Sequence, residues 1–534
     1  MSADSAPGKE VATDDVVPPV TEDAGFGAED RRKTNRGTVL SLVGGVVLAG
    51  VRVLGFFLRA IFGGEIWGLY AIAWSFIELL AFFILGGFND AVVIFSSRAY
   101  AAEEEGREDR EAHIQALATC IKVPFVLSLI VATLLTFFSE GLYLLVWSDH
   151  DPLLITLARE LSWCLPLLVL LQVPAEATRA TLRFGYAIGI VQIAFPVLSL
   201  AFAIALFYTI EPSILAVVRG TLASAFLCVF ASFWALWTTL RAPSLIRALF
   251  SPKVDREVLR FALPHSLNMA LSQGLNRIDA LMLSFFGVSA NLIGVYTLVS
   301  DLTQLIRVAK MAFSGVYSPL VAKYRALGNR LGVLQALDDT SRKSSSISLA
   351  LLLLLMCTWP LFIFDANETW TDSSRFPWLL CAGPLMSAFF GLCGNTLLMF
   401  GHSRLLLLNA MGAGTLNVLL NYLMIPELGL LGAALATAIS NVGISIAQVI
   451  ELRHIERIQV RWAFYRRTLL AGFVPVAVVF GLTAFVLPVT GPFGDWPAWV
   501  PRTALALAAV LLYFGLQWGL PGKHPFRALS KKKS

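Results

Sequence analysis

The sequence predicts an all-α polytopic membrane protein, and three observations carry that prediction. Of 534 residues, 57% are hydrophobic and only 14% are charged, with a mean hydropathy of +0.72. So little polar side chain cannot cover a soluble globule. Windows of about 20 apolar residues, the length that crosses a hydrocarbon core, recur about fourteen times. The segments between them alternate between rich and poor in Lys and Arg, as they do when successive connections lie on opposite sides of a bilayer.

In chain order the windows fall near 37–62, 66–96, 114–138, 153–173, 185–208, 212–239, 258–286, 291–318, 344–364, 376–400, 405–425, 430–452, 467–488 and 499–520. Pro124, Pro196, Pro264, Pro384 and Pro475 interrupt five of them. Neighbouring helices re-satisfy the carbonyls that such prolines free, so these are candidate bends inside spans rather than ends of them.

Residues 1–30 are acidic, without a basic start or an apolar core, so they read as a disordered cytoplasmic tail rather than a cleavable signal. Basic residues then gather at Arg31, Arg32, Lys33 and Arg36, at Arg107 and Arg110, at Arg241, Arg247, Lys253 and Arg256, and at the terminal KKKS. The alternate loops hold almost none, apart from Arg375 and Arg502. Both termini are therefore expected in the cytoplasm, and the net charge of +5 is topology rather than a sign of nucleic acid. The six cysteines form no C-x-x-C pair and lie in or beside the spans, so they read as small core residues, with neither a disulfide framework nor a metal site indicated. No P-loop, H-E-x-x-H or G-x-S-x-G is present, and no cofactor is implied.

One motif repeats. Arg52 is followed by FG at 62–63 and GLY at 68–70, and Arg277, 225 residues later, by FG at 286–287 and GVY at 294–296. An offset of six helices predicts a parallel duplication, with its axis along the membrane normal and a binding site between the halves. The expected divisions are the tail at 1–30, a six-helix lobe at 31–248, a second at 249–460, helices thirteen and fourteen at 461–522 and a basic tail at 523–534.

The stretch R-V-L-G-F-x-x-R with F-G and G-L-Y, together with LNVLLNYLMIPELGLLGAALATAIS at 416–440, resembles the lipid-linked oligosaccharide flippases of the multidrug, oligosaccharidyl-lipid and polysaccharide exporter superfamily. The likeness runs over roughly residues 35–455. It implies a transporter rather than an enzyme, about fourteen helices, and an anionic lipid-linked glycan as substrate in the inner membrane of a bacterium. The substrate is either a polysaccharide repeat unit or the peptidoglycan lipid precursor, and a glycan polymerase and export machinery are candidate partners.

The charges inside the spans agree with that implication. Arg52 and Arg59 lie one heptad apart on one helix, Arg277 and Asp279 on the seventh, and Asp301, Arg307 and Lys310 on the eighth. Cations at such depth are costly against lipid, so a water-filled cationic cavity lined by Arg52, Arg59, Arg277, Arg307 and Lys310 is expected, suited to a pyrophosphate. Glu78, Asp279 and Asp301 stand as carriers of a coupling proton or cation, or as counter-charges. The bland alternative is structural ion pairing, Arg277 with Asp279 and Arg307 with Asp301. Asn417 and Asn421, one turn apart, are expected to hydrogen-bond a neighbouring helix, and Gly432, Ala436 and Ser440 to give a smooth packing face. A drug or cation exporter would want an acidic cavity, which the excess of Arg and Lys opposes. A polysaccharide polymerase or ligase would want a large outer loop, and the outer loops here are short.

Overall fold

The computed structural model describes residues 55, 58–104, 110–146, 151–181, 184–210, 212–240, 244–326, 328–358, 376–460, 462–481 and 499–519. Among them every regular element is helical. Nine helical stretches are long and apolar enough to cross a membrane, from Gly64–Ala99 to Leu430–Ile455, and Thr468–Val479 and Ala504–Trp518 are shorter apolar helices. Arg52 and most of the first predicted window lie outside the described residues.

The helices are α1 (Gly64–Glu104), α2 (Arg110–Val146), α3 (Pro152–Ser162), α4 (Cys164–Ala177), α5 (Phe184–Ala187), α6 (Phe195–Thr209), α7 (Leu215–Leu240), α8 (Ser244–Phe250) and α9 (Arg256–Phe285). The series continues with α10 (Ala290–Thr303), α11 (Leu305–Ala326), α12 (Arg330–Thr358), α13 (Phe376–Met399), α14 (Ser403–Leu428), α15 (Leu430–Ile455), α16 (Trp462–Gly481) and α17 (Trp499–Gly519). Local chemistry sets several ends. Asp151 caps α3 by accepting from Leu153 N at 2.8 Å, ahead of a proline at the first turn, and Asp255 caps α9 by accepting from Glu257 N at 2.7 Å. Gly429, at φ 53°, supplies the left-handed turn between α14 and α15.

Two predicted spans are real helices yet too polar to count by hydropathy, for a reason visible in their packing. In α12, Ser341, Ser344, Ser345, Ser346 and Ser348 are buried in protein rather than turned to lipid, and the Ser348 hydroxyl donates to the Ile306 carbonyl at 2.6 Å. Small hydroxylic residues let helices approach closely where lipid offers no hydrophobic drive for association. In α9 the polar residues lie where two groups of helices meet.

In chain order the helices fall into a first group, α1 to α8, and a second, α9 to α15, and α16 and α17 pack against α12. The seam between the groups runs along α1, which packs on both α9 and α10. At one end a Cβ on Gly68 would collide with the Ala290 carbonyl oxygen, and at the other a Cβ on Gly87 would collide with that of Ala262. Only glycine permits such backbone approach at both ends. All six cysteines are buried and free.

Candidate functional site

Along this seam lies a cavity of about 500 Å³. Its walls come from α1, α4, α6 and α7 on one side and from α9 and α10 on the other, and its charged lining among the described residues is Glu78, Asp90, Arg277 and Asp301. Residues 188–194, just before α6, form a π-helical segment that brings Val191, with Phe195 and Pro196 after it, to the wall. Such wide turns arise where a helix absorbs one extra residue, and they recur at functional sites.

Arg277 is the centre of the charge pattern. Its Nε lies 2.7 Å from Glu78 Oε2, and its Nη2 lies 2.8 Å from Asp301 Oδ1. The guanidinium is almost fully buried, and its planar fork holds one carboxylate from each side of the seam. Arg277 and Asp279 are therefore not partners. Residues two apart on a helix point about 200° away from each other, so Arg277 faces the cavity and Asp279 faces the second helix group.

Asp279 is fully buried in a knot of neutral donors. Its Oδ2 accepts from the Tyr296 hydroxyl at 2.6 Å and the Thr437 hydroxyl at 2.5 Å, and its Oδ1 accepts from Asn421 at 2.9 Å and Asn417 at 3.3 Å. The two asparagines of the C-terminal motif thus hydrogen-bond a neighbouring helix. The carboxylate ties α9 to α10, α14 and α15, away from the cavity. Gly432, Ala436 and Ser440 are buried on α15, which packs against α13 and α14.

Of the five cations expected to line one cavity, Arg52 lies outside the described residues, and among the other four only Arg277 lines it. Arg59 lies outside the cavity lining. It is 4% exposed and donates to Asn291 Oδ1 at 2.6 Å, beside the close approach of Gly64. Arg307 and Asp301 do not pair, because six residues and a one-residue break at Gln304 turn them apart. Arg307 instead donates to Gln304 Oε1 at 3.2 Å, and Lys310 donates to Ser387 Oγ at 3.2 Å. Both sit half-buried in the second helix group, where Gly391 leaves room for the Lys310 ammonium: a Cβ there would collide with Nζ. Neither has a carboxylate within ion-pair distance among the described residues. The cavity itself carries three carboxylates to one guanidinium among the described residues, the reverse of the expected balance.

Charge alone does not reveal the uncharged lining. Trp67, Tyr70 and Trp74 climb one face of α1 at i, i+3 and i+7, with Trp67 and Tyr70 ring centroids 5.1 Å apart and Tyr70 and Trp74 stacked at 6.3 Å. The signal for it is the stretch WGLYAIAW, whose aromatic spacing is helical.

This architecture is shared with solved transporters. The chain is similar to "Lipid II flippase MurJ, inward closed conformation", at 15% identity and TM-score 0.59, covering 91% of this chain and 98% of that one. It is similar also to a structure of the MATE multidrug transporter DinF-BH, at 16% identity and TM-score 0.60, covering 82% and 99%. A third similar structure is a MOP superfamily transporter from Pyrococcus furiosus Vc1, at 17% identity and TM-score 0.57, covering 80% and 96%. At such identities these likenesses establish the fold and no more. No curated protein matches the chain. The model of the family described as "Polysaccharide biosynthesis protein" matches residues 61–366, which span the helices around the cavity from α1 to α12. With more than half its length inside that match, the chain belongs to the polysaccharide biosynthesis protein family.

Proposed function

We propose that the protein translocates a polyprenyl-pyrophosphate-linked oligosaccharide across the bacterial inner membrane by alternating access between two six-helix lobes. The observation that carries this reading is the pair Arg307 and Lys310. Two cations one turn apart on α11, at membrane depth and held only by an amide and a hydroxyl among the described residues, are balanced by an anion that binds there. A pyrophosphate matches their charge, since guanidinium and ammonium together neutralise adjacent phosphoryl oxygens. A repeat unit is preferred over the peptidoglycan precursor because the matching family is one of polysaccharide biosynthesis. Both termini face the cytoplasm, on the side where Arg98, Arg247, Lys253 and Arg256 gather. Arg277, bridging Glu78 and Asp301 across the seam, is the coupling element between the two helix groups.

A second reading, export of an organic cation, is favoured by the three carboxylates of the cavity. One experiment separates them. Proteoliposomes holding the full-length protein are given a fluorescent polyprenyl-pyrophosphate disaccharide on one leaflet or, separately, a lipophilic dye cation. Translocation of the glycolipid, lost when Arg307 or Lys310 is replaced by alanine at equal folded protein, supports the flippase. Dye transport that is indifferent to those two changes supports the exporter.

A further inference from the structure

The cavity beside Arg277 is poorly built for a phosphate, because among the described residues its carboxylates outnumber its one cation and that cation is already held by two of them. What it offers instead is uncharged. Three of its lining groups are polar atoms that are buried with no hydrogen-bond partner among the described residues: Trp67 Nε1, Ser75 Oγ and Asn89 Oδ1. Trp67 is 7% exposed and Ser75 is 1% exposed. An indole N–H, a hydroxyl and an amide carbonyl supply donor and acceptor functions together, and leaving such groups unsatisfied costs about 1 to 3 kcal/mol each. The Asn89 amide also donates to Gln172 Oε1 at 3.3 Å, so two planar amides stand side by side on the wall. On the same helix, about 22 Å back along the axis from Asn89, Trp67, Tyr70 and Trp74 form a ladder of flat apolar rings beside Ser75 and Glu78.

Flat aromatic rings with a hydroxyl and carboxylates beside them, and a pair of planar amides further along the same wall, form a surface that matches one kind of molecule. A pyranose ring presents a C–H face that packs on an aromatic ring, and an equatorial rim of hydroxyls that both donate and accept. We propose that this cavity binds neutral sugar residues of the glycan, and that the pyrophosphate lies outside it at Arg307 and Lys310. This rests on the flippase reading above and refines it: the first helix group reads the sugar and the second holds the charge. The volume of about 500 Å³ lies within the range of small-ligand pockets and admits a short saccharide. Glu78, Asp90 and Asp301 accept hydroxyl hydrogens but repel a carboxylate, so the preferred sugars are neutral and uronic acids are excluded.

The test uses full-length protein in nanodiscs and saturation-transfer NMR, with lactose, maltose and glucuronic acid as sugar probes and inorganic pyrophosphate as the anion probe. The neutral disaccharides are expected to bind and glucuronic acid not to. Trp74→Ala and Ser75→Ala should weaken the disaccharides about tenfold, and Trp74→Phe much less, since it keeps a stacking ring. Pyrophosphate binding should be unchanged by those variants and lost in Arg307→Ala and Lys310→Ala. Gel filtration of each variant controls for folding. Disaccharide binding that is absent, indifferent to Trp74→Ala and Ser75→Ala, or matched by glucuronic acid overturns the proposal, while pyrophosphate binding that still needs Arg307 and Lys310 leaves the flippase reading standing. Disaccharide binding as expected in a protein that moves no glycolipid in proteoliposomes overturns the flippase reading instead.

Discussion

The Arg277 guanidinium lies 2.7 Å from the Glu78 carboxylate, and this contact joins the two helix groups at the level of the cavity. The sequence suggests that Arg277→Ala would abolish export and leave a folded protein, as for a hydrated cation that awaits an anion. The geometry changes that expectation, because the charge is already compensated from both sides.

Arg277→Ala should therefore lower the amount of folded protein, since removing one partner of a buried pair costs about 3 to 5 kcal/mol. Adding Glu78→Gln and Asp301→Asn to it should restore most of the folded protein, because no uncompensated carboxylate then remains in the cluster. By contrast Arg98→Ala, whose pair with Glu257 has side chains 45% and 64% exposed, should cost less than about 1 kcal/mol. Gel filtration of detergent extracts with a fluorescent tag reads all three. Full folding of the single Arg277→Ala protein, with export lost, would return Arg277 to the role of substrate ligand.

The Asp279 knot makes a second, separate prediction. Thr437→Val removes one of four donors and should cost about 1 kcal/mol, in keeping with single hydrogen bonds between membrane helices. Asp279→Ala strands Tyr296, Asn417, Asn421 and Thr437 together and should cost several-fold more. Denaturation of the purified variants in detergent measures the order, and equal losses for the two would contradict a shared network.

Gly68 and Gly87 lie about 28 Å apart along α1, one at each of the two close backbone approaches between the helix groups. A larger side chain at either position should hold that seam open. With Ser75→Cys as a reporter on the cavity wall, Gly68→Val should raise labelling by a membrane-impermeant maleimide from one face and Gly87→Val from the other. The native cysteines, all buried, leave a low background. Labelling from the same face in both variants would rule out the paired-seam arrangement.

What the sequence determined by itself is what depends on local, additive properties. Hydropathy over about 20 residues places a helix in a bilayer whatever its neighbours are, so every predicted window from 66–96 onward overlaps a described helix. Even the polar α9 and α12 are legible, because an apolar half suffices to mark each of them. The small residues of α15 and the paired asparagines of α14 are legible for a similar reason, since spacing on one helix fixes which side chains share a face. Partner choice is not. Arg277 can be counted as a membrane cation from the sequence, but whether it meets Asp279, Asp301 or Glu78 depends on which helices pack together and how each is turned. Glu78 is 199 residues away in the chain and 2.7 Å away in space. Only the tertiary structure decided that the cavity is acidic and aromatic among the described residues while Arg307 and Lys310 stand apart from it, because the sign of a cavity is set by the few side chains that close packing turns inward.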